Sequence, residues 1–433
     1  MQQTPINKDL VDKAIHDFGI QDFEHATIRE VKSVAAFAEK ESGIEFIKLE
    51  MGIPGLPASK TGVDAQIKAL QDGIAHSYPD IQGYPELKKE ASRFVKAFIG
   101  VDVAAEGCVP VCGSMQGTFA AFLTCSQSDI KKDTILFIDP GFPVQKMQLQ
   151  VLGVKYETFD VYNYRGDKLA TKLESYLSKG NICAIVYSNP NNPSWICFNE
   201  NELETIGTLA NKYDAIVMED LAYFAMDFRK QLSTPFAPPY QATVANYTSN
   251  YMLFISGSKA FSYAGERIGV VCISDKLFHR HYPALDARYE MLPFGLVFST
   301  RMLYALSSGT SHSAQYMLKA ASDGTYDFRK EISIYGERAH KLKKIFLKHG
   351  FIIVYDKDLD EDIADGFYFT IGYPGMTGGQ LAHELMYYGV SAICLTTTGS
   401  NQQGLRVCTS FIEDRQMDEL DKRMATFNAN NPV

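Results

Sequence analysis

The sequence lacks the features that mark several broad classes of protein. No run of about 18 uninterrupted apolar residues occurs, so no membrane helix is predicted. The start, Met1 to Leu10, has no apolar signal core, and repeats and low-complexity stretches are missing. The formal net charge of −9 argues against a broad attraction to nucleic acid or to an anionic membrane. A globular protein of the cytoplasm is therefore expected.

Metal-binding patterns are missing too. Among the eight cysteines, Cys108 and Cys112 form a CxxxC, but no second Cys or His pair follows at the spacing of zinc ligands. The nine histidines form no HExxH and no close cluster with carboxylates. We therefore predict no metal site and buried, reduced thiols.

An alternation of strand-like and helix-like segments is present instead. Between about residues 105 and 275, short apolar runs alternate with helical patterns, which predicts a mostly parallel sheet covered by helices on both faces. Strands are predicted at 108–112, 134–139, 182–188, 215–220, 251–256 and 268–274. The predicted division is an N-terminal segment, 1–50, a large domain, 51–325, and a smaller α+β domain, 326–433, with which the N-terminal segment packs.

The most informative segment runs from Ser256 to Gly269. A predicted strand ends at Ser256, and Lys259 follows just beyond its carboxyl end, the edge at which open α/β sheets bind ligands. A lysine amine that condenses with a carbonyl must be reachable and partly unprotonated. The nearby hydroxyls and Arg267 would suit a phosphate. A solvated lysine on a surface turn is the structural alternative.

Three further segments follow predicted strands. The segment 112–117, CGSMQG, precedes a helix and suits either a phosphate or a plain helix cap. Asn192 lies in SNPNNPS, where two Asn-Pro steps hold the chain extended, which also suits a purely rigid turn. Asp220 ends a strand with a carboxylate that would keep a ring nitrogen protonated while Tyr223 reaches an adjacent oxygen. A helix or turn cap is the alternative for Asp220.

In this order the segments resemble the class I and II aminotransferases, which are pyridoxal 5'-phosphate (PLP) enzymes of fold type I. The resemblance covers nearly the whole chain and implies a large domain with a mostly parallel sheet between helices plus a smaller α+β domain. It implies that Lys259 holds the cofactor as a Schiff base and that Asp220 holds the proton of the ring nitrogen. Asn192 and Tyr223 would bond the phenolic oxygen. Lys259, Asp220 and Tyr223 are thus the predicted catalytic residues.

The resemblance also assigns the remaining cofactor contacts. Phe142, in DPGFP, would stack on the ring, although it could be a core residue. Tyr78, in SYPDIQG, would reach the phosphate of the neighbouring subunit's cofactor, which implies a homodimer with shared sites; a local turn tyrosine is the alternative. The predicted phosphate cradle consists of Ser114, Met115, Gln116, Ser256, Arg267 and, as a helper, Ser258.

Substrate contacts are expected at both ends of the chain. Arg406 lies within an apolar strand, and a buried arginine needs an anionic partner. The resemblance makes that partner the α-carboxylate of the substrate, gripped as a bidentate pair, whereas a structural salt bridge is the alternative. It also places Gly52, Ile53 and Asn192 beside the substrate. One departure is Trp195, the only tryptophan, which stands where the family usually has glycine.

The activity implied is a ping-pong transfer of an amino group between an L-amino acid and a 2-oxo acid, with Lys259 as general base and acid. A β-lyase of the C–S lyase type shares every residue named above, so the sequence leaves it open. A PLP or amino-acid sensing module is a remote alternative. Such modules follow a DNA-binding region, and here only about fifty residues precede the loop at Met51.

Overall fold

The computed structural model describes residues 3–232, 234–324 and 327–432. Contacts divide the chain into two compact units. The large unit comprises Leu56–Pro190 and Cys197–Ile332, and the small unit comprises Met1–Gly55, Asn191–Ile196 and Ser333–Val433. The predicted boundary between residues 325 and 326 lies outside the described residues, so the division 1–50, 51–325 and 326–433 stays a prediction.

The large unit contains a seven-stranded sheet within the described part of the chain. Its strands are β1 Cys108–Val111, β2 Thr134–Asp139, β3 Lys155–Asp160, β4 Ile182–Ser188, β5 Ile216–Asp220, β6 Tyr251–Ser256 and β7 Gly269–Ile273. Their order across the sheet is β1-β7-β6-β5-β4-β2-β3. Strands β6, β5, β4, β2 and β3 are mutually parallel, and β7 is antiparallel to both of its neighbours. The predicted mostly parallel α/β sheet is confirmed.

Apolar runs explain why the predicted strands form where they do. The residues of β2 and β6 are buried along their whole length, as expected for strands covered by helices on both faces. Strand β3 was not predicted because its sequence, KYETFD, has no apolar run. It forms at the sheet edge, where its first residue is exposed, so its stability does not require a continuous apolar sequence.

Helices cover this sheet, and their ends follow local sequence signals. Asn199 and Glu202 form a reciprocal capping box at the start of Glu200–Tyr213, and Pro85 opens Pro85–Ile99. The α-helices are Lys60–Gln71, Pro85–Ile99, Gly113–Ser126, Pro143–Leu152, Lys168–Leu177, Glu200–Tyr213, Gly257–Ala260, Asp275–Phe278, Pro283–Arg288, Phe294–Leu296, Tyr304–Ser307, His312–Ser322 and Phe328–Ile332. A π-helical segment, Val297–Leu303, and 3-10 turns at Ile74–His76, Ala105–Gly107, Tyr162–Tyr164 and Val244–Asn246 complete the unit.

The small unit has its own core and its own sheets. A four-stranded antiparallel sheet has the order Ile393–Cys394, Leu405–Cys408, Tyr368–Gly372 and Ile352–Ile353. Ile47–Lys48 pairs in parallel with Val390–Ser391, and Lys357–Asp358 forms a hairpin with Glu361–Asp362. The helices are Lys8–Asp17, Ile28–Ser42, Ile334–Lys348, Gly378–Met386, the 3-10 turn Leu395–Thr398 and Asp414–Asn430. Apolar side chains such as Val34, Phe346 and Leu385 fill the core.

Membrane-spanning helices and metal-binding clusters are both missing from the described ranges. No helix in them has both the length and the apolar character that a membrane crossing requires. No group of three or more His, Cys, Asp or Glu side chains in them is arranged to hold a metal ion. All eight cysteines carry free thiols, and most are buried.

Candidate active site

Sheet register brings the predicted segments of the large unit to one edge. Val111 at the end of β1 pairs with Gly269 at the start of β7, and Gly269 pairs with Ser256 at the end of β6. Asp220 ends β5, the parallel neighbour of β6. The carboxyl ends of β1, β5 and β6 therefore lie at the same edge, the position at which α/β sheets bind ligands.

Lys259 lies at this edge on a short helix. Strand β6 ends at Ser256, and the helix Gly257–Ala260 begins immediately. The Ser256 hydroxyl accepts a hydrogen bond from the backbone N–H of Ser258 at 3.1 Å and so caps the helix, while Ser258 itself is buried. This local geometry holds the half-buried Lys259 just past the end of a strand. The position predicted from the sequence is the one observed.

An anion cradle lies next to it. Gly113 has φ +68°, and a Cβ placed there would lie 2.3 Å from Nη2 of Arg267, so only glycine admits the guanidinium so close. A Cβ on Gly269 would lie 3.6 Å from the backbone nitrogen of Ser114. The Ser114 hydroxyl is buried and has no hydrogen-bond partner among the described residues. A guanidinium, an unused hydroxyl and the N-terminus of Gly113–Ser126 therefore converge, and this set of donors fits a phosphate.

Met115 and Gln116 follow Ser114 in the first turn of this helix, and their polar groups form hydrogen bonds with other residues of the chain. The Gln116 side chain accepts from the N–H of Cys112 at 2.7 Å and donates to the hydroxyl of Ser307 at 2.6 Å. The carbonyl of Met115 accepts from the amide of Gln148 at 2.7 Å. The Gln116 side chain thus already bonds within the chain at both its oxygen and its nitrogen, and the backbone N–H groups of this helix start are the donors best suited to a phosphate.

Asp220 is a buried carboxylate at the same edge. It accepts from the N–H of Ala222 at 3.1 Å and from the side-chain amide of Gln145 at 3.2 Å. Burial raises the pKa of Asp220 to about 6, and both hydrogen bonds oppose that rise. A facing cation would favour the ionised form further. Gln145 was not predicted; its only sequence signal is a polar residue three positions after Phe142, on the helix Pro143–Leu152.

The other predicted cofactor residues of the large unit differ in how far they are exposed to solvent. Tyr223 is buried in the turn that follows Asp220. Phe142 is half-buried at the N-cap of Pro143–Leu152. Tyr78 is 88% exposed, next to the 3-10 turn Ile74–His76. An exposed tyrosine of this kind has its ring available to a second molecule.

Glu219, the neighbour of Asp220 on β5, is a second buried carboxylate that the sequence did not single out. It accepts from the Thr243 hydroxyl at 2.5 Å, the Val244 N–H at 3.1 Å and the Asn189 amide at 3.4 Å. Burial raises the pKa of Glu219 to about 7 in spite of these bonds. The charged form is therefore disfavoured inside the folded protein.

This raised pKa predicts a pH-dependent stability. Below the unfolded pKa of 4.5 Glu219 is protonated in both states, and as the pH rises to about 7 ionisation favours the unfolded chain. Stability of the wild type should therefore fall relative to Glu219→Gln between pH 4.5 and 7, by up to about 3 kcal/mol. Urea unfolding of both holoproteins across this range measures the difference. Glu204→Gln, an exposed position, is the control; a difference that stays constant with pH would contradict the prediction.

The small unit holds a second set of predicted residues around Arg406. Its Nη1 donates to the side-chain oxygen of Asn192 at 3.2 Å, and its Nη2 donates to the carbonyl of Glu50 at 2.8 Å. Arg406 as a residue is 2% exposed. Among the described residues its Nε has no hydrogen-bond partner and no carboxylate forms an ion pair with it. A buried cation without an anion is costly, so this arrangement favours an anionic ligand.

A glycine in the loop after Met51 borders Arg406. A Cβ on Gly52 would lie 3.6 Å from Nη2 of Arg406 and 2.4 Å from the hydroxyl of Tyr368. Ile53, the next residue, is 39% exposed. Gly52 and Arg406 are thus adjacent, and the absence of a side chain on Gly52 makes room for the Tyr368 hydroxyl.

The large unit is therefore an α/β unit that carries a lysine, a buried carboxylate and an anion cradle at one sheet edge. Such a set of groups suits a phosphorylated carbonyl cofactor. The model of the family "Aminotransferase class I and II" matches residues 44–424. The chain belongs to this family, whose members depend on PLP.

Individual proteins with similar sequences are aminotransferases by name, in agreement with membership of this family. An LL-diaminopimelate aminotransferase of Dehalococcoides mccartyi is 25% identical over 400 residues, which cover 90% of this chain and 94% of that protein. An aspartate aminotransferase of Pyrococcus horikoshii is 28% identical over 240 residues, 54% of this chain and 57% of that protein. For this and similar relatives the chain spans 57 to 60% of the relative's length.

Solved structures show the same fold. The aspartate aminotransferase of Thermotoga maritima superposes with a TM-score of 0.75 at 18% sequence identity, covering 96% of this chain and 99% of the other. At this level of identity the similarity establishes the fold. It confirms the predicted fold type I architecture.

Proposed function

We propose that the protein is an aminotransferase that uses PLP to move an amino group between an L-amino acid and a 2-oxo acid in a ping-pong sequence. The observation that carries this proposal is Lys259 just beyond the end of β6, at the same sheet edge as Asp220 and the Ser114 and Arg267 cradle. Family membership supports it, because the matching relatives are named as aminotransferases.

Each residue would have a distinct task in holding the cofactor. When bound, PLP supplies an aldehyde that takes up the amino group and a protonated ring that accepts electron density. Ser114, Ser256 and Arg267 would bind its phosphate, with Ser258 and the N–H groups of Met115 and Gln116 assisting. Asn192 and Tyr223 would bond the phenolic oxygen, and Phe142 would stack on the ring.

Asp220 and Lys259 would control protons. The Asp220 carboxylate has a raised pKa because it is buried, so its charged form gains from facing a cation. It would therefore hold the proton on the ring nitrogen. The Lys259 amine would remove the proton from the substrate α-carbon and return a proton as general acid.

Arg406 would bind the α-carboxylate of the substrate. Its buried guanidinium has an unused Nε donor, and an Nε–Nη edge can grip a carboxylate in a bidentate pair. Asn192, Gly52 and Ile53 would border the bound carboxylate. The donors to test first are aspartate and LL-diaminopimelate, because relatives of this chain carry those names.

We also propose that the protein acts as a cytoplasmic homodimer with shared sites. The exposed Tyr78 supports the shared site, since its ring is free to reach the phosphate of a second copy's cofactor. The free cysteines support a reducing compartment, because oxidising compartments promote disulfides.

Transfer and elimination can be separated directly. The holoenzyme is mixed in a single turnover with each amino donor, and the 2-oxo acid, the aminated cofactor and ammonia are measured. Aminotransferase activity predicts one 2-oxo acid and one aminated cofactor per site without ammonia, followed by release of a new amino acid when a second 2-oxo acid is added. Stoichiometric ammonia from a cysteine-type donor would favour the β-lyase instead, which the names of the relatives do not favour.

A further inference from the structure

One aromatic side chain lies against Arg406 in the small unit, and a second packs against the first. The centre of the Tyr368 ring is 4.5 Å from Cζ of Arg406. Arg406 pairs with Thr370 across two antiparallel strands, so Tyr368 is its diagonal neighbour on the same face. The ring of Trp195 meets Tyr368 edge-on, with centroids 6.2 Å apart and an angle of 69°. All three side chains are almost fully buried.

Trp195 occupies this position although its backbone conformation is unfavourable for a bulky residue. Its φ is +65°, a conformation that bulky residues rarely adopt. The loop is held by hydrogen bonds from the Trp195 N–H to the Asn191 carbonyl and from the Asn191 N–H to the Ile196 carbonyl, both at 2.9 Å. A Cβ on Gly366 would lie 2.0 Å from the indole, so glycine at this position makes the space for it.

The Tyr368 ring is confined from two directions. Trp195 packs against it on one side. On another side, a Cβ placed on Gly52 would lie only 2.4 Å from the Tyr368 hydroxyl, so the backbone of Gly52 approaches this hydroxyl closely. A confined ring loses less side-chain entropy than a mobile ring when a cation is placed over its face. It therefore holds the cation more firmly.

We propose that Tyr368 is a positioning residue for the substrate carboxylate: its ring face holds the Arg406 guanidinium, and Trp195 fixes the ring. This inference rests on the proposed role of Arg406. The electron-rich ring face stabilises a buried cation that forms no ion pair with a carboxylate of the described residues. It uses none of the guanidinium N–H groups, so the Nε donor, which has no hydrogen-bond partner among the described residues, remains available for a carboxylate.

Fluorinated side chains test the electrostatic part of this role. Phenylalanine and its mono-, di- and trifluoro forms are incorporated at position 368 of the full chain by codon reassignment. Fluorine withdraws electron density from the ring face with little change of shape, so a cation over that face is held progressively less well. We expect KM for the amino donor to rise stepwise with fluorine number, by about tenfold in total, with kcat little changed. Tyr368→Phe should behave like the wild type.

A binding measurement separates this inference from the proposed function. Propionate has a carboxylate but no amino group, so its calorimetric Kd for the holoenzyme reports the carboxylate site without any amino transfer. The Kd should rise with fluorine number in parallel with KM, and propionamide should not compete. If the wild type transfers no amino group, the proposed function fails, yet the dependence of the propionate Kd on fluorine number still tests Tyr368.

Folding is monitored in every variant by the emission of Trp195, the only tryptophan, which should stay blue-shifted while its indole is buried. Tyr368→Leu should weaken propionate binding by about tenfold. Tyr304→Leu, which removes an exposed tyrosine, is the matched control and should leave it unchanged. A propionate Kd that is the same across the fluorinated series, with normal Trp195 emission, would overturn the proposal.

Discussion

Replacing Lys259 with alanine is expected to remove amino transfer almost completely. The amine is proposed both to hold the cofactor and to move the proton at the substrate α-carbon, and alanine has no group that could do either. The loss of the general base and acid alone corresponds to about 10²- to 10⁴-fold in rate, and loss of covalent attachment adds to it. Steady-state rates with the best amino donor measure the effect, with kcat reduced at least ~10⁴-fold.

A chemical trap assigns the effect to this amine. Borohydride treatment of the wild-type holoenzyme should fix the cofactor to the peptide that contains Lys259, as detected by mass spectrometry, and the variant should yield no such peptide. Lys276→Ala, at an exposed lysine of the short helix Asp275–Phe278, should transfer and trap normally. Turnover by Lys259→Ala near the wild-type rate would refute the assignment.

Replacing Arg406 with lysine is expected to reduce kcat/KM by about 10²- to 10³-fold, mainly through KM. Lysine keeps the positive charge but cannot present two parallel N–H groups to a carboxylate. It also cannot keep both bonds that the guanidinium makes, to Asn192 and to the carbonyl of Glu50. Initial rates over a range of donor concentrations separate KM from kcat.

The control for this prediction lies in the same unit. Arg415 is exposed and pairs with Glu45 at 2.7 Å, so Arg415→Lys changes an arginine that has a surface partner and should leave the kinetics unchanged. Exposed pairs of this kind contribute little to stability. An Arg406→Lys enzyme with an unchanged KM would show that the substrate carboxylate binds elsewhere.

Local signals were sufficient for the strand ends that carry the site. The apolar runs before Ser188, Asp220 and Ser256 each predicted a strand, and the structure ends a strand at each of these residues. Parallel strands share one carboxyl edge, so the position of Lys259 relative to Asp220 followed from topology. The edge strand Lys155–Asp160 escaped prediction because it is polar and only one of its edges is paired.

The contacts of the site residues required the folded chain. Gln145 beside Asp220, the donors around Glu219 and the Tyr368 ring beside Arg406 all join residues far apart in sequence. Trp195 shows most clearly what the sequence could not predict. The sequence marked it as an unusual residue after Asn-Asn-Pro-Ser, whereas its φ, its burial and its packing against Tyr368 and Gly366 appear only in three dimensions.

By itself the sequence determined the family, the strand and turn order, and the placement of Lys259 and Asp220 at strand ends, because periodicity and turn chemistry are local properties of a chain. Only the tertiary structure decided that Arg406 is buried without an ion-pair partner among the described residues, that Asp220 and Glu219 have raised pKa values, and that the Tyr368 ring lies against the guanidinium. Burial and desolvation depend on every neighbour at once, and those neighbours come from distant segments.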